Sequence, residues 1–147
     1  MEKGIRQFGA IGQVGGAFVC DNRGEVIVSS SPAVLATVTM NTIGREVGRA
    51  FFALEAAHRA ARRLDFRFDS WRLLAQDIGD AVLFVVCEPD VDMALVRMTA
   101  DVVAAAWEQD PRVRKRLDAR RSDREQLINV SSLDHSALQS WTLIQSR

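Results

Sequence analysis

The stretch GDAVLFVVCEPDVDMALVRM, residues 79–98, holds the transition on which the fold turns. Its first half, residues 81–87, is apolar without alternation and is preceded by a Gly-Asp turn. A short strand of that pattern sits in the middle of a sheet and is covered on both faces. Glu88-Pro89-Asp90 ends it and offers Asp90 as the N-cap of the next element. Val91, Ala94, Leu95, Met98, Val102 and Ala105 then recur at helical steps, which predicts an amphipathic helix ending near Trp107.

Upstream, Phe66-Arg67-Phe68 alternates, Asp69-Ser70 turns, Trp71 to Gln76 forms a second run, and Asp77 to Asp80 turns again around Gly79. Residues 66–87 therefore read as three consecutive strands. Two more strands are expected at residues 17–20 and 25–29. Between them stands Asp21-Asn22-Arg23-Gly24, in which Asn and Gly accept positive φ and Asp can bond its own backbone. A calcium loop would need carboxylates at alternating positions and a closing glutamate. Asp21 and Glu25 do not supply that inventory, so the segment reads as a hairpin turn. Gly12-Gln13-Val14-Gly15-Gly16 precedes a strand and lacks both the Lys-Ser/Thr of a phosphate loop and a following helix, and it reads as the turn into the first strand. Before it, Ile5, Phe8 and Ile11 mark a short helix weakened by Gly4, Gly9 and Gly12, each costing about 1 kcal/mol in a helix interior.

Between the hairpin and the three strands lies a long helix, expected from Met40 to Leu64, with Ser31-Pro32 suited to an N-cap and first helical position ahead of it. Ile43, Val47, Ala50, Phe51, Leu54, Ala57, Ala61 and Leu64 form its core stripe. Phe52, Ala53, Ala56 and Ala60 add a second apolar face. A helix apolar on two sides packs against two things. One is its own sheet, and the other is a second copy of the chain, whose helix the alanines would allow close. The competing reading is that a loop of the same chain covers Phe52.

The whole chain has 147 residues, 48% hydrophobic and 26% charged, with 19 basic and 19 acidic side chains. The balance is that of one soluble domain with a real core, and it argues against a mainly electrostatic nucleic-acid partner. No apolar run nears the roughly 20 residues of a membrane span, and the N-terminus lacks a secretion signal, so a cytoplasmic protein is expected, with no membrane partner. Cys20 and Cys87 end predicted strands and read as buried free thiols. His58 and His135 share no metal-ligand spacing, and His58 reads as a packing or interface residue. Ser29-Ser30-Ser31 lacks a nucleophile elbow. No catalytic, cofactor-binding or metal-binding residues are assigned. Residues 112–125 are charged and read as a solvated helix, with an acidic partner surface as the sharper alternative. Beyond them, Leu127, Ile128, Val130, Leu133, Leu138, Trp141, Leu143 and Ile144 make the tail too apolar for a plain solvated one. A core domain over residues 1–107 and an appendage over 108–147 follow.

Three blocks in this order, GGAFVCDNRGEVIVSSSP, IGREVGRAFFALEAA and GDAVLFVVCEPDVDMALVRMTADVV, resemble the Roadblock, or dynein light-chain-like, domain family from about Val14 to Trp107. The resemblance implies an α/β (α+β) fold of Roadblock/profilin-like topology, (α)ββαβββα: a five-stranded antiparallel sheet with the long helix on one face and the terminal helices on the other. It also implies a non-enzymatic homodimer joined through edge strands and long helices, with Phe52, Ala53, Ala56, Ala60, Phe66 and Phe68 as seam candidates. Bacterial and archaeal members often accompany a Ras-like small GTPase, which makes Arg45, Glu46 and Arg49 candidate contacts for such a partner. A small-molecule sensor of PAS or GAF type is the alternative, and it would need a cavity between sheet and helix.

Overall fold

The structure, a computed structural model, describes residues 1–30 and 36–120. In chain order it contains α1 (Glu2–Phe8), β1 (Val14–Asp21), β2 (Val26–Ser29), α2 (Thr37–Ala56), β3 (Arg63–Arg67), β4 (Arg72–Asp77), β5 (Ala81–Cys87) and α3 (Met93–Gln109). Residues 111–120 are helical too and are called α4. The five strands form one antiparallel sheet in the order β2-β1-β5-β4-β3. This is the expected architecture, with the expected element in the middle.

Every residue of β5 is buried, because its two faces serve two cores. Leu83, Val85 and Cys87 point with Val19 and Leu74 into a layer closed by Ile5 and Phe8 of α1 and by Val96, Val103 and Trp107 of α3. Val82, Phe84 and Val86 point the other way, against Phe18 and Cys20 and against Met40 and Val47 of α2. The Phe18 and Phe84 rings stack with centroids 4.8 Å apart. Each large side chain buried in this way contributes about 1.5–3 kcal/mol.

The hairpin turn works as its residues suggest. Asp21 Oδ1 accepts from the backbone N–H groups of Arg23 (2.9 Å) and Glu25 (3.0 Å). Gly24 takes φ +82°, and a Cβ there would stand 2.6 Å from the backbone nitrogen of Arg45. One step along α2, a Cβ on Gly44 would meet Cys20 Sγ at 2.6 Å. The long helix is thus pressed onto β1 through glycine contacts.

Four features differ from expectation. The long helix stops at Ala56 instead of Leu64. His58 adopts φ +57°, while its N–H donates to Glu55 O (3.1 Å) and Arg59 N–H reaches back to Leu54 O (2.8 Å). That is a Schellman stop with histidine in the place glycine usually takes, and it frees Leu64 to enter β3. His58 is exposed, so it is a helix terminator and does not pack within the chain. The N-cap of α3 is Asp92, whose side chain accepts from Leu95 N–H, and not Asp90. The buried face of α3 is Met93, Val96, Ala100, Val103 and Trp107. Of the expected stripe, Leu95, Met98 and Val102 are exposed. Charged residues occupy only one flank of this helix, so periodicity alone fitted two phases. Finally, α1 is fully seated, with Ile5 and Phe8 buried, because Gly4 lets the Trp107 indole lie against the helix: a Cβ there would be 2.8 Å from its Nε1.

Helix α4 also departs from a solvated face. Val113 is buried in the α1/α3 layer and Leu117 packs against it. Arg116 donates to Glu2 (2.9 Å), and Arg120 donates to Asp21 Oδ2 (2.8 Å). The acidic surface these arginines meet belongs to their own chain. The expected N-cap at Ser31-Pro32, His135 and the apolar tail residues from Leu127 onward lie outside the described residues.

Two substitutions test this packing in chemical denaturation. His58→Val, which places a β-branched residue at a left-handed position, should cost about 1–2 kcal/mol, whereas His58→Gly should be neutral or stabilising by up to about 1 kcal/mol. Gly44→Ala should cost about 1–3 kcal/mol, since the added methyl overpacks Cys20.

Candidate interaction surfaces

A sheet with two ends has two edges, and this chain treats them differently. β2 is four residues long. Its Val26 N–H is taken by Asn41 Oδ1 of α2 (3.1 Å), and its Ile27 carbonyl by the Arg116 guanidinium of α4 (3.1 Å). At the other end, Asp77 N–H donates to Arg62 O and Phe68 N–H to Trp71 O. Antiparallel alternation then turns the backbone groups of Leu64 and Phe66 inward to β4 and those of Arg63, Asp65 and Arg67 outward. Among the described residues no side chain caps the outward groups. β3 is the open edge.

The two faces of that edge differ. Toward α3 it is charged: Arg63 donates to Gln76 Oε1 (2.9 Å) and pairs with Asp101 of α3. Asp65 Oδ2 accepts from Arg72 (2.7 Å) and from Arg97 of α3 (3.2 Å). Asp65 Oδ1 and Arg72 Nε are buried with no hydrogen-bond partner among the described residues. Toward α2 the edge is apolar, with Leu64 and Phe66 half-buried against the second core layer. Just past the strand, Phe68 stacks on Trp71 at 4.4 Å and is 47% exposed.

α2 likewise has two flanks. Asn41 bonds β2 and Arg45 abuts Gly24, so this side faces the hairpin. By helical geometry Gly48 and Phe52 lie on the same side, and Gly48, Phe52, Arg45 and Arg49 line one groove with Arg23 of the turn. The opposite flank carries Ile43, Ala50 and Leu54, all half-buried, with exposed Ala53 beside them. Phe52 is 74% exposed and Val38 76% exposed. No loop of the described chain covers Phe52, so the helix keeps the apolar surplus that its second face implied. Of the seam candidates, Phe66 lies on β3 and Phe68 just beyond it, Ala53 and Ala56 on exposed α2, and Ala60 in the loop before β3; Phe52 belongs to the hairpin flank. Arg45 and Arg49 share that flank, while Glu46 is the partner of Arg49 at 3.1 Å.

Cys20, Cys87 and Ser30 are held in structural roles. Both cysteines are buried. Burial pushes the Cys20 thiol up to about 12 and the Cys87 thiol to about 11. Ser30 Oγ bonds the backbone of Ala17. The Arg116 guanidinium holds the exposed Glu2 carboxyl down at about 2. Among the described residues no group of three or more His, Cys, Asp or Glu side chains could hold a metal ion, and no helix is long and apolar enough to cross a membrane.

Because the folded state keeps both thiols neutral while the unfolded chain ionises from their ordinary value of 9.0, the unfolded state binds fewer protons above that pH. Stability should therefore be constant through neutrality and fall as pH rises beyond about 9. A disulfide reagent such as DTNB at pH 8 should label neither thiol in the native protein and both in denaturant. Rapid native labelling of either would show that its burial is wrong.

No family sequence model matches the chain, and the search of curated proteins finds no relative. Solved structures do match. A Roadblock/LC7 domain from Streptomyces avermitilis aligns with TM-score 0.64 at 13% identity, over 74% of this chain and 94% of the other. MglB of Myxococcus xanthus aligns with TM-score 0.64 at 14% identity, over 71% and 81%. The gliding protein MglB of Thermus thermophilus aligns with TM-score 0.55 at 16% identity, over 70% and 78%. Strand order, the helix on each face and these alignments agree: this chain has the Roadblock/LC7 fold.

Proposed function

We propose that the protein is a non-enzymatic homodimeric regulator or scaffold that acts with a Ras-like small GTPase in the cytoplasm of a prokaryote. The observation that carries the dimer is the pairing of one open sheet edge with one uncovered apolar helix on the Roadblock/LC7 fold. Two β3 strands joined about a two-fold axis would satisfy the outward backbone groups and make one continuous sheet. Among registers that keep like faces together, one sets Phe66 against its own copy on the axis and Asp65 opposite Arg67 of the partner subunit. That register supplies a cation to the carboxylate whose Oδ1 stands unpaired within the chain. It also brings the Ile43, Ala50, Ala53 and Leu54 flanks of the two α2 helices together, where small residues allow close approach. The partner assignment rests on the family resemblance. The absence of an enzymatic role is supported by the occupied state of the cysteines and of Ser30.

Light scattering should give a dimer at micromolar concentration. Arg67→Pro removes an outward N–H without touching the ladder to β4, so the variant should stay folded and become monomeric, with a rise in dissociation constant of about 100-fold or more. A wild-type monomer, or an unaltered Arg67→Pro dimer, would remove the β3 seam. For the partner, a Ras-like GTPase encoded beside this gene should bind the dimer or change its rate of hydrolysis or exchange. No effect on any of the three would remove the GTPase reading.

A further inference from the structure

The groove on the hairpin flank of α2 has a composition that the dimer does not use. Arg23, Arg45, Arg49 and Arg62 line it together with Gly48 and Phe52. Only Arg49 makes an ion pair among the described residues, and that pair, with Glu46, is exposed on both sides. Three acids also line the groove. Asp21 is spent on the turn and on Arg120, and Asp77 Oδ1 accepts from Gly79 N–H at 2.9 Å. Against four guanidinium groups this leaves Glu55 and the single charge of Asp77.

Gly48 is the second observation. A glycine in a helix interior costs about 1 kcal/mol relative to alanine. Gly44, one turn earlier, has a steric reason within the chain, since Cys20 would collide with any Cβ. Gly48 has none: nothing lies within 4 Å of the place its Cβ would occupy. The notch it leaves stands one turn from Phe52, an aromatic ring 74% exposed. A notch beside an uncovered ring, fringed by unpaired arginines, has the form of a seat for an apolar anchor carried on an acidic stretch of chain.

We propose that this groove docks an acidic segment of a partner protein, with an apolar side chain of that segment lodged between Gly48 and Phe52 and its carboxylates on the arginine fringe. The inference deepens the regulator reading above, on which it rests only for the segment being part of a GTPase; the docking chemistry stands on this chain alone. A uniform polyanion such as nucleic acid fits less well, because Glu55 and Asp77 would face its phosphates.

The test uses the full chain and two synthetic peptides, one with leucine and phenylalanine flanked by aspartates and glutamates, the other with the same apolar pair flanked by lysines. Fluorescence anisotropy should show saturable binding of the acidic peptide alone. Binding should weaken about tenfold or more in the Arg45→Glu/Arg49→Glu double variant, and similarly at about 1 M salt, where charges are screened within about 3 Å. Gly48→Leu, which fills the notch but stays helical, should weaken it comparably while leaving the dimer mass unchanged. With p-benzoylphenylalanine in place of Phe52, irradiation should cross-link the acidic peptide. Equal binding of both peptides, no binding of the acidic one, or insensitivity to Gly48→Leu overturns the proposal. So does tighter binding of a single-stranded oligonucleotide, or a cross-link from position 52 to residues 121–147 or to a second copy. If the acidic peptide docks as described and the neighbouring GTPase does not bind, the groove stands and the GTPase reading falls.

Discussion

The constraint from which the rest follows is that β5 has no solvent-facing side. Seven consecutive residues, Ala81 to Cys87, are buried, four on one face and three on the other. Such a strand is stable only if both faces of the sheet are roofed, and the chain has one long helix for one roof and two shorter ones for the other. α2 is brought down by backbone contact, with Gly24 and Gly44 removing the side chains that would hold it away from the hairpin and β1. α1 and α3 close the opposite layer around Trp107, whose indole lies against Gly4. Both roofs are centred on β1 and β5, and this leaves the β4–β3 end thinly covered.

The thin end explains the charge ladder. Where α3 passes over β4 and β3 it cannot exclude water, and its contacts there are Arg97 to Asp65 and Asp101 to Arg63. Half-exposed pairs of this kind contribute little net stability. They tie α3 to the charged face of β3. The β2 end is handled in the opposite way. There Asn41 and Arg116 cap the backbone, and α4 adds Arg120 to the turn. One end of the sheet has backbone groups capped from within the chain, and the other has none capped by a side chain among the described residues.

What the sequence revealed and what it concealed divide along physical lines. The five strands and the hairpin were legible, because Asp21-Asn22-Arg23-Gly24, Asp69-Ser70 and the Gly79 turn punctuate runs whose burial period is plain. The central position of β5 was legible from its lack of alternation. The end of α2 was not, since a Schellman stop is normally announced by glycine and here His58 takes the left-handed position; Ala57, Ala60 and Ala61 continued the helical pattern past it. The rotation of α3 was hidden because Leu95, Met98 and Val102 are as apolar as the residues that are buried, so the face was decided by the bulk of Trp107 and by the flank bearing Arg97 and Asp101. Arg116 and Arg120 of α4 gave a correct helix and a misleading surface: their partners, Glu2, Asp21 and the Ile27 carbonyl, lie far away in the chain, near its start. Of the interaction residues, the second apolar face of α2 was legible, but its division into two flanks was not. That division needs to know where the hairpin lies.

The division matters because the flanks differ in chemistry as well as in direction. Ile43, Ala50, Ala53 and Leu54 are small or aliphatic and lie beside the open edge, where in the proposed dimer a symmetric copy would meet like with like and charge would be repelled across the axis. Phe52, Gly48, Arg45 and Arg49 lie on the hairpin side of the helix, beside the edge where Val26 N–H and the Ile27 carbonyl are capped, and the groove they line runs on to Arg62, just before β3. A surface on which cations outnumber acids is poorly suited to meeting itself and well suited to meeting acid. The edge with capped backbone groups therefore adjoins the cationic flank, and the open edge adjoins the aliphatic one. Under the proposed reading, self-association and recognition would use different residues of one helix.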